Sequence, residues 1–84
     1  MSYYVYILRS LSTDRFYVGS TQDIEERLAR HNQGRSKATK PYTPWKLIYI
    51  VKFESRSEAM KRESQIKRRK SRVYIEQLCN VEKV

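Results

Sequence analysis

The hydrophobic pattern begins with a period of two. Tyr3 to Arg9 reads Tyr, Tyr, Val, Tyr, Ile, Leu, Arg. Aromatic and β-branched residues at this density predict a β-strand. Ser12, Thr13 and Asp14 supply a turn, and Arg15 to Ser20 returns as a second strand. The first twenty residues therefore predict a hairpin. Its register follows from the pattern, because a slip of one residue moves every side chain to the opposite face. Val5 and Ile7 share one face with Phe16 and Val18. Tyr4, Tyr6, Leu8, Tyr17 and Gly19 take the other, so Tyr6 and Tyr17 project together.

The period then changes to that of a helix. Thr21 or Asp23 can cap its start, Glu25 and Glu26 crowd its first turn, and Gly34 follows its last. With Ile24 at the origin and about 100° per residue, Leu28 falls near about +40°, His31 near about −20° and Arg27 near about −60°. Two ionisable side chains thus share the arc of the two best core residues. Two readings follow. Arg27 lies along the edge of the apolar stripe with its head in water, and His31 sits in a polar notch. Alternatively, both face a cleft that Tyr17 also reaches.

Residues 35–44 form a loop with three cations, Arg35, Lys37 and Lys40, and no acid. It is expected to be mobile and able to touch phosphates. Trp45 to Phe53 is a third strand, whose apolar centre suits neighbours on both sides. Ser55 and Glu58 have the spacing of a capping box and open a second helix. On that helix Glu63 falls inside the arc of Ala59 and Ile66. A carboxylate on a packing face needs a cation. Arg27 is the obvious partner in a structural salt bridge; a divalent metal is the alternative. Ser71 can cap a third helix with Tyr74, Ile75, Leu78 and Val81 as its stripe. The pattern reads as three strands and three helices in the order β-β-α-β-α-α, an α+β domain over residues 1–84.

Composition sharpens the picture. Eighteen Lys and Arg stand against nine acids, a formal net charge of +9 over 84 residues. That balance points to a polyanionic partner. The basic residues cluster, most densely at Lys67, Arg68, Arg69, Lys70 and Arg72, where a phosphate backbone could lie. The single cysteine, Cys79, excludes an internal disulfide framework and a cysteine metal cluster. No run approaches the roughly 18 to 20 apolar residues of a membrane span, and no signal-peptide core opens the chain. The expectation is a cytoplasmic protein.

Three unusual placements then coincide. Tyr6 and Tyr17 share a hairpin face, Arg27 and His31 share the inward side of one helix, and Glu63 is inward on another. One acid is too few for a carboxylate-rich two-metal phosphodiesterase site, but sufficient for a one-metal site. In such a site Arg27 would hold charge developing on the phosphate, and Tyr17, Tyr6 or His31 would take the proton of the attacking water.

These residues resemble the GIY-YIG superfamily. Tyr4–Val5–Tyr6 stands where the family has Gly-Ile-Tyr, and Tyr17–Val18–Gly19 where it has Tyr-Ile-Gly. Arg27 and His31 follow at the family's helical spacing, and Glu63 follows the third strand. In size and layout the chain is similar to the small stand-alone YhbQ-like bacterial proteins. The resemblance implies that the strands form one small, mainly antiparallel three-stranded sheet. It implies Mg²⁺-dependent endonucleolytic cleavage of nucleic acid, with Mn²⁺ as a substitute. It implies that Tyr6 and Tyr17 line the site, that Tyr17 or His31 assists deprotonation of water, that Arg27 contacts the scissile phosphate and that Glu63 binds the metal. Tyr4 departs from the family's first glycine. Asn80 is the only late asparagine that could match a polar residue found in many members. No target-recognition segment is visible, so recognition is expected to follow DNA shape, as in repair or recombination. The alternatives are a non-cleaving module that binds DNA or RNA, and a subunit whose basic surface serves another protein.

Overall fold

The structure, a computed structural model, describes residues 2–69 and 71–81. The order is β1 (Tyr3–Ser10), β2 (Phe16–Thr21), α1 (Ile24–Asn32), a 3-10 turn (Lys40–Tyr42), β3 (Trp45–Phe53), α2 (Arg56–Arg69) and α3 (Arg72–Val81). The strands form one antiparallel sheet in the order β2-β1-β3. This is the α+β architecture expected. Among the described residues, no helix is long and apolar enough to cross a membrane.

β1 is the central strand, and Val5, Tyr6, Ile7 and Leu8 are all fully buried. A strand covered on both faces reads as a continuous apolar run, and this one does. The hairpin register pairs Ile7 with Val18, Tyr6 with Gly19 and Leu8 with Tyr17. Val5, Ile7 and Val18 accordingly pack with Tyr49, Ala59 and Ile66 beneath α2 and α3. Tyr6 and Leu8 pack with Trp45, Tyr17, Ile24 and Leu28 beneath α1. The sheet thus has a half-core on each face.

β3 departs from expectation. Among the described residues it has one hydrogen-bonded neighbour, β1, and is an edge strand. Its apolar centre reflects layers above and below it, not strands on both sides. A register shift between Ile7 and Leu8 pairs them with Tyr49 and Leu47, leaving Ile48 as the extra residue. This bulge sends Trp45 and Leu47 to the α1 face and Tyr49 and Val51 to the other.

The caps follow local chemistry. Asp23 accepts from the Glu26 N–H, Ser55 from Glu58 and Ser71 from Tyr74. Gly34, at φ +73°, ends α1: its N–H donates to His31 O, and that of Arg35 to Arg30 O. The loop expected to be mobile is anchored instead. Thr39 within it is 1% exposed, and its carbonyl accepts from the Trp45 indole at 3.0 Å. Asn32 closes the loop, accepting from the Trp45 N–H at 2.6 Å and donating to the Trp45 carbonyl at 3.2 Å. Replacing Asn32 with Ala should remove both bonds. We expect a loss of about 1–3 kcal/mol in urea unfolding, with Asn32→Asp, which keeps the acceptor, losing less.

Candidate active site

The hairpin register brings the two phenols together. The Tyr6 and Tyr17 rings are 6.3 Å apart, and the Tyr17 ring lies 4.9 Å from that of His31. Gly19 makes this arrangement possible. A Cβ at Gly19 would stand 2.6 Å from the Tyr6 hydroxyl and 2.8 Å from Cζ. The Tyr6 ring therefore lies over a strand position that only glycine leaves open.

The Tyr6 hydroxyl meets His31 Nε2 at 3.2 Å, and His31 Nδ1 meets Thr39 Oγ1 at 2.8 Å. Tyr6 and His31 are fully or almost fully buried. Burial, followed by the neighbouring Tyr17, pushes the Tyr6 phenol up to about 12, against the pull of Arg27; the Glu63 carboxylate also raises it. Burial lowers the His31 pKa, and the Arg27 and Arg30 charges lower it further. Tyr6 thus keeps its proton and His31 is neutral. The phenol donates to Nε2, Nδ1–H donates to Thr39 Oγ1, and the Thr39 hydroxyl points to Ser36 O at 3.5 Å. Thr39 escaped sequence reasoning, because a threonine in a polar loop carries no periodic signal.

Arg27 occupies the inward arc as its spacing predicts and is half-buried. Its Nε is buried without a hydrogen-bond acceptor among the described residues. Glu63 is also inward, but it does not pair with Arg27, contrary to the salt-bridge reading. Glu63 Oε1 accepts from Ser20 Oγ at 2.7 Å, and Oε2 pairs with Lys67 Nζ at 2.6 Å. The reason is the sheet. Ser20 points to the α2 face, whereas Tyr17 and Gly19 on the same edge strand point to the α1 face. Glu63 therefore approaches β2 from one side, and the tyrosines, His31 and Arg27 from the other.

Among the described residues there is no cluster of three or more His, Cys, Asp or Glu able to hold a metal. Glu63 stands as a single carboxylate beside a cavity of about 190 Å³ that Tyr3, Ser20 and Arg56 also line. It already binds a cation, the ammonium of the half-exposed Lys67. Both of its oxygens are engaged, one by Ser20 and one by Lys67, so a divalent ion bound here would take the place of the Lys67 ammonium.

The expected phosphate contacts divide. Arg35, Lys37 and Lys40 are exposed beside the C-terminal end of α1, and Lys67, Arg68 and Arg69 are exposed at the end of α2. Arg72 is already used by the fold. It pairs with Asp14 and with Glu76 at 3.1 Å, donates to Asp14 O, and lies over the Phe16 ring. Lys70 and the side chain of Asn80 lie outside the described residues.

Residues 2–76 match the GIY-YIG catalytic domain. The chain belongs to the GIY-YIG family. It is 35% identical to the UPF0213 protein BH0048 of Bacillus halodurans, whose solution structure superposes with a TM-score of 0.61 over 96% of this chain and 85% of that one. It is 44% identical over 66 residues to UPF0213 protein SH2523 of Staphylococcus haemolyticus, covering 77% of this chain and 79% of that protein. UPF0213 protein NP_0776A of Natronomonas pharaonis is 41% identical over 66 residues, 77% of this chain and 76% of its own length. Membership in the GIY-YIG family places the chain in a nuclease superfamily acting on nucleic acids, generally with divalent metals.

Two outcomes follow from this geometry. Gly19→Ala must displace the buried Tyr6 ring and should cost about 1–3 kcal/mol in urea unfolding. His31 is the only histidine in the chain. Its pKa is depressed in the fold, so the unfolded chain takes up the proton first. Stability is then complete above the ordinary imidazole value of about 6.5 and declines as pH falls below it. The melting temperature should drop between about pH 7.5 and about pH 5.5, and His31→Asn should flatten that drop.

Proposed function

We propose that this protein is a metal-dependent endonuclease that hydrolyses phosphodiester bonds in DNA, selecting structure over sequence, in the setting of repair or recombination. The observation that carries the reading is Glu63. An inward carboxylate already holds a cation beside the strand whose opposite face presents Tyr17 and the Tyr6–His31 pair.

Arg27 is the residue for the scissile phosphate. It is half-buried near Tyr6, and the fold gives it no ion pair among the described residues. A phosphate oxygen would supply the missing acceptor and place the guanidinium where charge develops. Exposure separates the candidate bases. Tyr6 and His31 are enclosed, and each is engaged by its buried partner. Tyr17 is only partly buried and packs on the His31 ring. Tyr17 is thus the phenol that can meet the attacking water, while Thr39, His31 and Tyr6 hold the floor beneath it. Glu63 would hold the divalent ion, with Ser20 fixing one carboxylate oxygen. When bound, that ion neutralises the phosphate and the leaving oxygen. The cations at Arg35, Lys37, Lys40, Lys67, Arg68 and Arg69 suit backbone contacts, which fix position without reading sequence.

The test is cleavage of branched, nicked, single-stranded and linear DNA and RNA in Mg²⁺ or Mn²⁺, with EDTA as control. Wild type should cut a branched or nicked DNA only with metal. Glu63→Gln should remain folded and bound but lose at least about a hundredfold in rate. Binding without cutting in either protein would instead identify a nucleic-acid-binding module. Glu63 would then be a structural partner of Ser20 and Lys67.

A further inference from the structure

The junction of α2 and α3 contains a cleft of about 380 Å³ lined by Arg62, Gln65, Arg68, Arg69 and Tyr74. Three of its five lining residues are arginines, and none is acidic. Elsewhere the fold neutralises fixed arginines with carboxylates: Arg9 and Arg72 on Asp14, and Arg30 on Glu26. Among the described residues, Arg62, Arg68 and Arg69 have no such partner.

Tyr74 organises two of these guanidinium groups. Arg62 Nη1 donates to the Tyr74 hydroxyl at 3.1 Å and lies 3.4 Å from Gln65 Oε1. The Arg69 guanidinium sits over the Tyr74 ring, 4.7 Å from its centroid. One tyrosine thus holds one guanidinium by its hydroxyl and another by its face. The hydroxyl accepts from Arg62 and so retains its own proton for an acceptor. Holding like charges together without an anion is unfavourable, and an anion entering the cleft would relieve it. Guanidinium groups fixed in this way match phosphate oxygens through paired N–H donors.

We propose that the Arg62–Arg69–Tyr74 cleft is a binding site for the phosphodiester backbone of a nucleic acid strand, outside the catalytic constellation. The proposal rests on the nuclease reading of Glu63 and extends it. Glu63 and Arg69 are carried by the same helix, six residues apart, a rise of about 9 Å. The arginines of the cleft and Glu63 are thus carried by one rigid helix, so a strand held in the cleft stays at a fixed separation from Glu63. Arg62 and Arg69 contact phosphate. Tyr74 is a positioning residue that keeps the two guanidinium groups in place.

The experiment measures binding of wild-type protein in EDTA to a fluorescein-labelled 20-base-pair duplex DNA, by anisotropy across a salt series. Arg62→Gln and Arg69→Gln are compared with Lys61→Gln, which removes the same charge from the same helix outside the cleft. Thermal melts establish that each variant is folded. Because Arg69 is exposed, its substitution tests the cleft even if Arg62→Gln fails to fold. Each arginine variant should bind about tenfold more weakly and lower the salt slope by about one. Tyr74→Phe should keep the ring and Arg69 but loosen Arg62, giving a smaller loss with a changed slope. Lys61→Gln should lose much less than either arginine variant. Equal losses in Lys61→Gln and the arginine variants would overturn the cleft while leaving the nuclease reading intact. Failure of wild type to bind DNA would overturn both.

Discussion

A buried line of hydrogen bonds, Thr39 to His31 to Tyr6, holds the structure together at its site. It joins three separate pieces of chain: the 35–44 loop, the end of α1 and the central strand. Each member is at most 2% exposed, so any polar atom left unpaired would cost about 1–3 kcal/mol. Other features serve this line. Gly19 leaves room for the Tyr6 ring. Trp45 donates to the Thr39 carbonyl, and Asn32 fastens the Trp45 backbone to α1. A loop whose sequence looks unstructured is thereby built into the core.

The sheet divides the candidate side chains between its two faces. Tyr6, Tyr17, His31 and Arg27 lie on the α1 side, and Glu63 on the α2 side. Both groups approach β2, an edge strand on which adjacent residues present opposite faces. Ser20 and Gly19 illustrate this: the first binds Glu63, and the second accommodates Tyr6. The negative charge of Glu63 reaches the Tyr6 phenol across that edge. The excess positive charge is divided in the same way, between the loop after α1 and the far end of α2.

Much of this was legible in the sequence wherever a residue's place depends on its near neighbours. The period of two assigned Val5, Ile7 and Val18 to one face and Tyr6, Leu8 and Tyr17 to the other. The helical period placed Arg27, His31 and Glu63 inward. Asp23, Ser55 and Ser71 were readable as caps because a cap bonds to a backbone N–H only three residues away.

Tertiary structure alone decided the partners. Glu63 pairs across 43 residues with Ser20, and Arg72 across 58 with Asp14. Such contacts leave no periodic trace, so neither the Arg72–Asp14 pair nor the Ser20 partner of Glu63 was readable, and of the two readings of Glu63 the salt bridge to Arg27 is not formed. Nor does composition alone distinguish a strand buried by layers on its faces from one flanked by strands on both edges, since both are apolar; β3 is of the first kind. The sequence by itself determined which faces carry the candidate side chains, because those faces follow from the geometry of one strand or one helix. Only the fold decided what each of those side chains touches, because that depends on how elements distant in the chain come together.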